Sequence, residues 1–268
     1  MKILLRNNDL NEALFGFSNI GFVPTMGSLH EGHVSLIKKS MRYCNKTIVS
    51  IFVNPTQFNN KNDYNRYPKN IKKDLKILRK LKVDFVYIPS KNQIYNSKNP
   101  IKILLSKKDK ILCAKHRKGH FEGVIDVMTR LTKIIEPSKI FMGEKDFQQL
   151  YLIKKYIKNK YKVISCKTIR DNQKLALSSR NDRLDHIGLK TARSISKDIS
   201  NFKKILKKEK NIQKILSVKR KELSIFKNVE IEYLELRNKF TLKKTKKFKD
   251  SKIFIAYHIN DIRLIDNF

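Results

Sequence analysis

The sequence predicts an α/β fold: a doubly wound parallel sheet followed by a smaller C-terminal α+β domain. Short apolar runs recur at residues 20–23, 47–53, 83–88, 140–142 and 163–166, and amphipathic helical segments at 33–43, 71–81, 124–135 and 147–157 separate several of them. Such alternation suits a parallel sheet with helices on both faces. After about residue 182 the pattern changes to lysine-rich helical sequence over 189–222, then to alternating runs at 229–236 and 253–259 that fit antiparallel strands. The boundary is expected near 175–187, giving domains 1–178 and 179–268.

The first run, Ile20–Val23, stops at Pro24; a glycine turn follows at Gly27, and His30 and His33 flank Gly32 within VPTMGSLHEGH. From Pro24 through Ser40 the spacing is helical, with Leu29, Val34, Leu36 and Ile37 on one apolar face. A strand–turn–helix unit aims backbone N–H groups and a positive helix end at one point, which suits a phosphate. Residues three apart share a helix face, so both imidazoles can meet one anion. Gly27 and Gly32 permit a close approach to backbone. On spacing alone the pair reads equally as a polar helix face. The turn, the glycines and the position after a strand favour a nucleotide.

The second run ends in SIFVNPTQF, where Asn54 and Gln57 offer amides that both donate and accept, suited to a small polar acid. As local structure the same residues are a turn and a surface side chain. KGHFEGV (118–124) opens a helix, and a supporting role is expected for His120. In GEKDFQQ (143–149), Lys145 is a compact cation for phosphate. Asp146 could order it, accept a ribose hydroxyl or help hold Mg²⁺. The alternative is a polar helix start. LALSSRN (175–181) sets two hydroxyls beside one guanidinium, as in an anion clamp or a helix cap.

Right-handed crossovers place strand C-terminal ends along one rim. The segments 24–33, 54–57 and 143–146 each follow a strand, so one site is expected there. The chain has no recognisable Ser–His–Asp or Cys–His nucleophile motif, Walker A loop or GxGxxG fingerprint. The chemistry implied is displacement at a nucleotide phosphate, driven by positioning and charge stabilisation.

Composition narrows the class further. The chain has 268 residues, and a hydrophobic content of 40% excludes a disordered chain. No apolar run reaches the roughly 18 residues of a membrane span. The N-terminus lacks a secretory cleavage pattern, so a cytoplasmic location is expected. Cys44, Cys113 and Cys166 lack CxxC spacing and read as small buried hydrophobes, neither metal ligands nor disulfide partners. The net charge of +36 ordinarily points to nucleic acid. Here the lysines run along the whole chain, thickening at 202–221 and 243–252, with no interleaved aromatics. Abundant Lys, Asn and Ile together fit A/T-rich codon usage. No specific nucleic-acid partner is expected, only weak polyanion adhesion at low salt.

With these residues assembled, the chain closely resembles the pantoate–β-alanine ligase (pantothenate synthetase) family. The matching segments are VPTMGSLHEGH (23–33), SIFVNPTQF (50–58), YNRYP (64–68), GHFEGV (119–124), GEKDFQQL (143–150), LALSSRN (175–181) and RLIDN (263–267). They stand in the family's order almost end to end. The chain is also similar to the wider superfamily whose His-x-Gly-His signature binds ATP. That group includes nucleotidyltransferases and class I aminoacyl-tRNA synthetases.

The resemblance implies a Rossmann-like first domain, a C-terminal lid and a homodimer. It implies that pantoate and Mg-ATP give pantoyl adenylate and pyrophosphate, and that β-alanine then releases AMP. By matching position, His33 is the proton-donating histidine and His30 lies beside it on the phosphates. Met26, Gly27, Ser28, Leu29, His30, Glu31, Gly32 and His33 line the ATP pocket. Gly143, Glu144, Lys145 and Asp146 meet nucleotide and phosphates, with Lys145 countering charge. Ile169 faces the adenine through its backbone, and Leu177, Ser178, Ser179 and Arg180 close over ATP, with Arg180 in the catalytic set. Gln57 contacts pantoate and then β-alanine, and Gln149 holds pantoate from the other side. Asn54 and Tyr67 support them. Mg²⁺ accompanies ATP, and no protein ligand set for a metal is assigned. Three positions depart from the family's pattern: Ser28 stands where alanine is usual, Lys118 where proline is usual and Lys174 where glycine is common.

Two other readings compete with this one. A nucleotidyltransferase of the same superfamily is opposed by Gln57 and Gln149 together. A basic RNA-binding protein on an inactive ligase fold is opposed by the presence of all the phosphate-handling residues.

Overall fold

In the computed structural model, residues 1–95, 103–157, 161–209 and 211–268 are described. They divide into one unit of Met1–Glu144 with Gln149–Lys167, and a second of Lys145–Gln148 with Thr168–Phe268. Lys210, within the lysine-rich stretch 202–221, lies outside the described residues.

The first unit runs β1 (Lys2–Leu4), α1 (Asn7–Leu14), β2 (Ile20–Thr25), α2 (Glu31–Tyr43), β3 (Lys46–Ile51), α3 (Lys61–Asn65), α4 (Ile71–Lys80), β4 (Phe85–Tyr87), α5 (Lys91–Tyr95), α6 (Cys113–His116), α7 (His120–Ile135), β5 (Lys139–Gly143), α8 (Phe147–Tyr156) and β6 (Lys162–Cys166). The first two residues of α8 group with the second unit. All six strands are parallel, in the order β1-β4-β3-β2-β5-β6. The five apolar runs thus form strands of one doubly wound sheet, as expected. The side chains of β2, β3 and β4 are buried on both faces, β6 at the edge is only half-buried, and Phe22, Ile48 and Ile140 are fully sequestered. Each contributes about 1.5–3 kcal/mol relative to exposure.

The strand order reverses at β2, from which the chain builds outward to β3 and β4 and later to β5 and β6. Register locates the opening. β2 pairs with β3 from Ile20 to Thr25, but with β5 only at Gly21 and Phe22. Pro24, which has no N–H to give a ladder, lies in the stretch where β2 has left β5. A sheet that separates at its switch point provides a ligand crevice beyond the strand ends.

The second unit contains α9 (His186–Leu206), α10 (Ile212–Leu223), β7 (Val229–Asn238), β8 (Ser251–Ile259) and β9 (Ile262–Asn267). The lysine-rich stretch 189–222 is therefore two helices. Ala192, Ile195, Ile199, Phe202 and Leu206 recur at helical spacing on α9 and bury against Leu236, Ile253, Ile255 and Tyr257 of the antiparallel sheet β7-β8-β9. Among the described residues, no helix is long and apolar enough to cross a membrane.

Candidate active site

After β2, Gly27 N donates to Thr25 Oγ1 (3.2 Å), and Thr25 Oγ1 donates to Ser50 O (2.7 Å), tying the turn to β3. The helix does not begin after Pro24 as the apolar spacing suggests. Ser28 has φ +51°, Leu29 is buried in the loop, and α2 starts only at Glu31. His30 is accordingly its N-cap, in extended conformation, rather than a residue of the helix face.

The pair is nonetheless brought together. Gly32 N donates to His30 Nδ1 (3.1 Å), and His30 N donates to His33 Nδ1 (3.3 Å). The ring centroids are 4.1 Å apart. Each Nδ1 lone pair receives a backbone amide, so the neutral rings carry their proton on Nε2. A side chain at Gly32 would press a Cβ to 2.7 Å from His30 Cε1, so glycine seats the ring. The reciprocal cap fixes two imidazoles at the positive end of a helix, where an anion is favoured. Glu31 is exposed in the first turn.

At the end of β3, Asn54 caps a 3-10 turn, Pro55–Gln57. Its Oδ1 accepts from Thr56 N (3.3 Å) and from the Tyr95 hydroxyl (2.6 Å). Its Nδ2 donates to Gln57 Oε1 (3.3 Å) and Gly123 O (3.1 Å). Burial raises the Tyr95 pKa, which keeps that hydroxyl a donor. Gln57 Nε2 donates to Met26 Sδ (2.8 Å). Behind this turn Arg117 Nη1 lies 2.8 Å from His120 Nε2, and His120 Nδ1 lies 2.6 Å from Gln57 O. Guanidinium can only donate, so His120 accepts at Nε2 and donates from Nδ1. Met26, Asn54, Gln57 and His120 therefore form one connected set. Tyr67 is buried and packs edge-on against Phe58 at 5.6 Å. Gly143 is the last residue of β5, Glu144 follows it, and Gln149 is half-buried on α8.

In the second unit, Lys145 Nζ lies 3.6 Å from Asp146 Oδ1, with Lys145 the more buried partner. Asn267 Nδ2 donates to Lys145 O (2.9 Å). The next carboxylate back, Asp266, is gripped by Arg170 through Nη1 (2.6 Å) and Nη2 (2.8 Å). Arg170 Nη1 also donates to Lys174 O (2.9 Å). Leu177 N donates to Ile169 O (3.0 Å), so Ile169 and Leu177 face each other across a short loop. Arg180 N donates to Ser178 Oγ (3.3 Å), Ser179 is buried, and Arg180 opens the 3-10 turn Asn181–Arg183. The RLIDN segment thus fastens both Lys145 and the loop leading to Leu177–Arg180.

The three cysteines are buried, and burial pushes the thiols of Cys44 and Cys166 up. Neither of these two offers a ready thiolate.

Several contributors are not legible in short motifs. Asp74, Tyr95 and Arg117 act on groups far away in sequence, and Arg170 reaches 96 residues to Asp266. One signal for Asp74 is present: it stands four residues before Leu78, on the apolar stripe of a helix otherwise rich in lysine.

Known proteins resemble this chain throughout. A pantothenate synthetase from Francisella philomiragia is 40% identical over 265 residues, covering 97% of this chain and 93% of that one. Another, from Cytophaga hutchinsonii, is 38% identical over 256 residues, covering 93% and 90%. The crystal structure of pantothenate synthetase from Thermus thermophilus aligns with a TM-score of 0.94 at 28% identity, covering 100% and 99%. The ligase of Francisella tularensis, solved with beta-gamma ATP and β-alanine, aligns with a TM-score of 0.82 at 36% identity, covering 100% and 97%. The family model for pantoate–β-alanine ligase matches residues 5–268. By sequence and by fold, this chain belongs to the pantoate–β-alanine ligase family.

Proposed function

We propose that the chain joins pantoate to β-alanine in two steps at the expense of ATP, as a cytoplasmic homodimer. The pantoate carboxylate attacks the α-phosphorus, forming pantoyl adenylate and releasing pyrophosphate. The amine of β-alanine then attacks the acyl carbon, and AMP leaves. A mixed anhydride needs no enzyme nucleophile, in keeping with cysteines that are all buried.

The observation that carries the reading is the reciprocal cap of His30 and His33 at the start of α2. Two Nε2–H donors at a helix N-terminus favour charge that builds on phosphate oxygens. His33 donates a hydrogen bond from its Nε2–H to the phosphate oxygens, and His30 assists. Lys145 and Arg180 counter charge on the triphosphate. Met26 to His33 and Gly143 to Asp146 receive the nucleotide, Ile169 meets the adenine through its backbone, and Leu177 to Arg180 cover it. Gln57, whose carbonyl is held by His120, contacts pantoate and then β-alanine, and Gln149 contacts pantoate. Asn54 and Tyr67 hold these groups in place.

Mg²⁺ would arrive on the phosphates, which is its usual mode, with one or two carboxylates completing its shell. The half-exposed Asp146 fits that demand. Bound there, the ion would neutralise phosphate charge.

Turnover should require pantoate, β-alanine and Mg-ATP together. Pantoate alone should support exchange of labelled pyrophosphate into ATP, the signature of the adenylate. Pyrophosphate release without pantoate, or no exchange in folded protein, would refute the two-step reading. His33→Ala should lower kcat by more than about tenfold, since one such donor is worth well over 1.4 kcal/mol in the transition state.

A further inference from the structure

We propose that Asp74, which the reading above gives no role, is a backbone clamp that positions the loop leading into the histidine pair. Asp74 lies in the first turn of α4 and is 1% exposed. Its Oδ2 accepts from Ser28 N (2.9 Å) and its Oδ1 from Leu29 N (2.7 Å). One carboxylate therefore holds two consecutive amides, and the next residue is His30.

Three features make this a positioning device rather than buried polar filler. Ser28 adopts φ +51°, a conformation that an L-residue keeps only when its surroundings enforce it. The charge-assisted pair of hydrogen bonds supplies that enforcement. At Gly27, a Cβ would stand 2.9 Å from Asp74 Oδ2, so the carboxylate fits closely under the turn. Leu29 is buried beside Ile51 and Leu78 in the same core cluster, which pins the loop from the apolar side. Clamp and core together fix where the N-cap begins, and so where both rings sit.

The clamp's catalytic meaning rests on the reading that His30 and His33 serve ATP. Its existence does not. In the wild-type protein, the Ser28 and Leu29 amides should exchange with deuterium as slowly as those of β3. Exchange at the rate of an open loop would overturn the proposal. Asp74→Asn keeps the shape but turns an amino group toward one of the two N–H donors. It should speed exchange of at least one of these amides while β3 stays protected. It should also lower kcat/KM for ATP by about tenfold or more, with KM for β-alanine within about twofold, because displacement of a positioned group acts on its own substrate. Unchanged kcat/KM for ATP despite faster exchange would sink the positioning role. So would an equal loss toward every substrate accompanied by a lower melting temperature. If the wild type itself shows no turnover, the functional reading fails, and exchange still judges the clamp.

Discussion

Lys174 occupies a backbone conformation that its side chain does nothing to justify. It has φ +73° at the end of a tight turn in which Lys174 N donates to Asp171 O (3.0 Å). Asp171 Oδ1 meanwhile accepts from Gln173 N (2.9 Å) and Leu175 N (3.0 Å). The left-handed region costs an L-residue about 1–2 kcal/mol, and glycine escapes most of that. This accounts for glycine being common at this position, and lysine here bears the cost that glycine would escape. Lys174→Gly should therefore raise stability by about 0.5–1 kcal/mol, part of the relief being offset by glycine's greater freedom in the unfolded chain. Urea unfolding checks it, and an unchanged or lower midpoint would show that the turn imposes no strain. At this scale the sequence was legible wherever chemistry sits in a contiguous motif, as at His30–His33 or Asn54–Gln57. It was opaque where one residue serves another far along the chain. Asp74 reaches 45 and 46 residues back, and Tyr95 reaches 41 to Asn54.

Between elements, α7 fits closely against the Pro55–Gln57 turn. At Gly123, a Cβ would stand 2.4 Å from Thr56 O and 2.7 Å from Thr56 C, both backbone atoms that cannot swing away. Gly123 O also accepts from Asn54 Nδ2 (3.1 Å), so α7 is both packed on this turn and bonded to it. Gly123→Ala must push helix and turn apart, and overpacking of this kind costs about 1–3 kcal/mol. The displaced turn carries Gln57, so KM for pantoate should rise more than KM for ATP, alongside a lower melting temperature. Equal effects on both substrates would mean that the strain spreads through the unit instead. The same scale shows which elements periodicity could reveal. Runs with two buried faces, such as β2 and β3, stand out as apolar blocks. β1 is only three residues long, and α1 buries just Leu10 and Leu14 while Gln93 and Tyr87 hold its first residue. β9 (IRLIDN) hides because Asp266 takes an inward position where the alternation calls for an apolar side chain; its partner, Arg170, comes from elsewhere in the fold.

Taken whole, the molecule carries 60 basic against 24 acidic side chains. Even if every carboxylate held a basic partner, a net charge of +36 would remain uncompensated. Local pairs such as Arg170–Asp266 and Arg263–Glu232 are well formed, but they do not relieve this excess. A charge so far from zero disfavours the folded state through self-repulsion. The Debye length shrinks from about 30 Å at 0.01 M salt to about 8 Å at 0.15 M, which screens repulsion across the surface while leaving short, buried pairs largely intact. Stability should therefore increase with salt, although isolated exposed ion pairs weaken under the same screening. Each kilocalorie per mole recovered moves the melting temperature of a chain this size by about 2–4 °C. A rise of at least that much is expected between about 0.02 and 0.3 M NaCl, where screening rather than ion exclusion dominates. Sucrose at matched osmolality serves as the control, since it leaves the charges unscreened. Adhesion of nonspecific RNA should disappear over the same range, because it depends on counterion release. A melting temperature that is flat or falls with salt would mean that attractive pairs, not the surplus of lysine, govern the electrostatics of the fold.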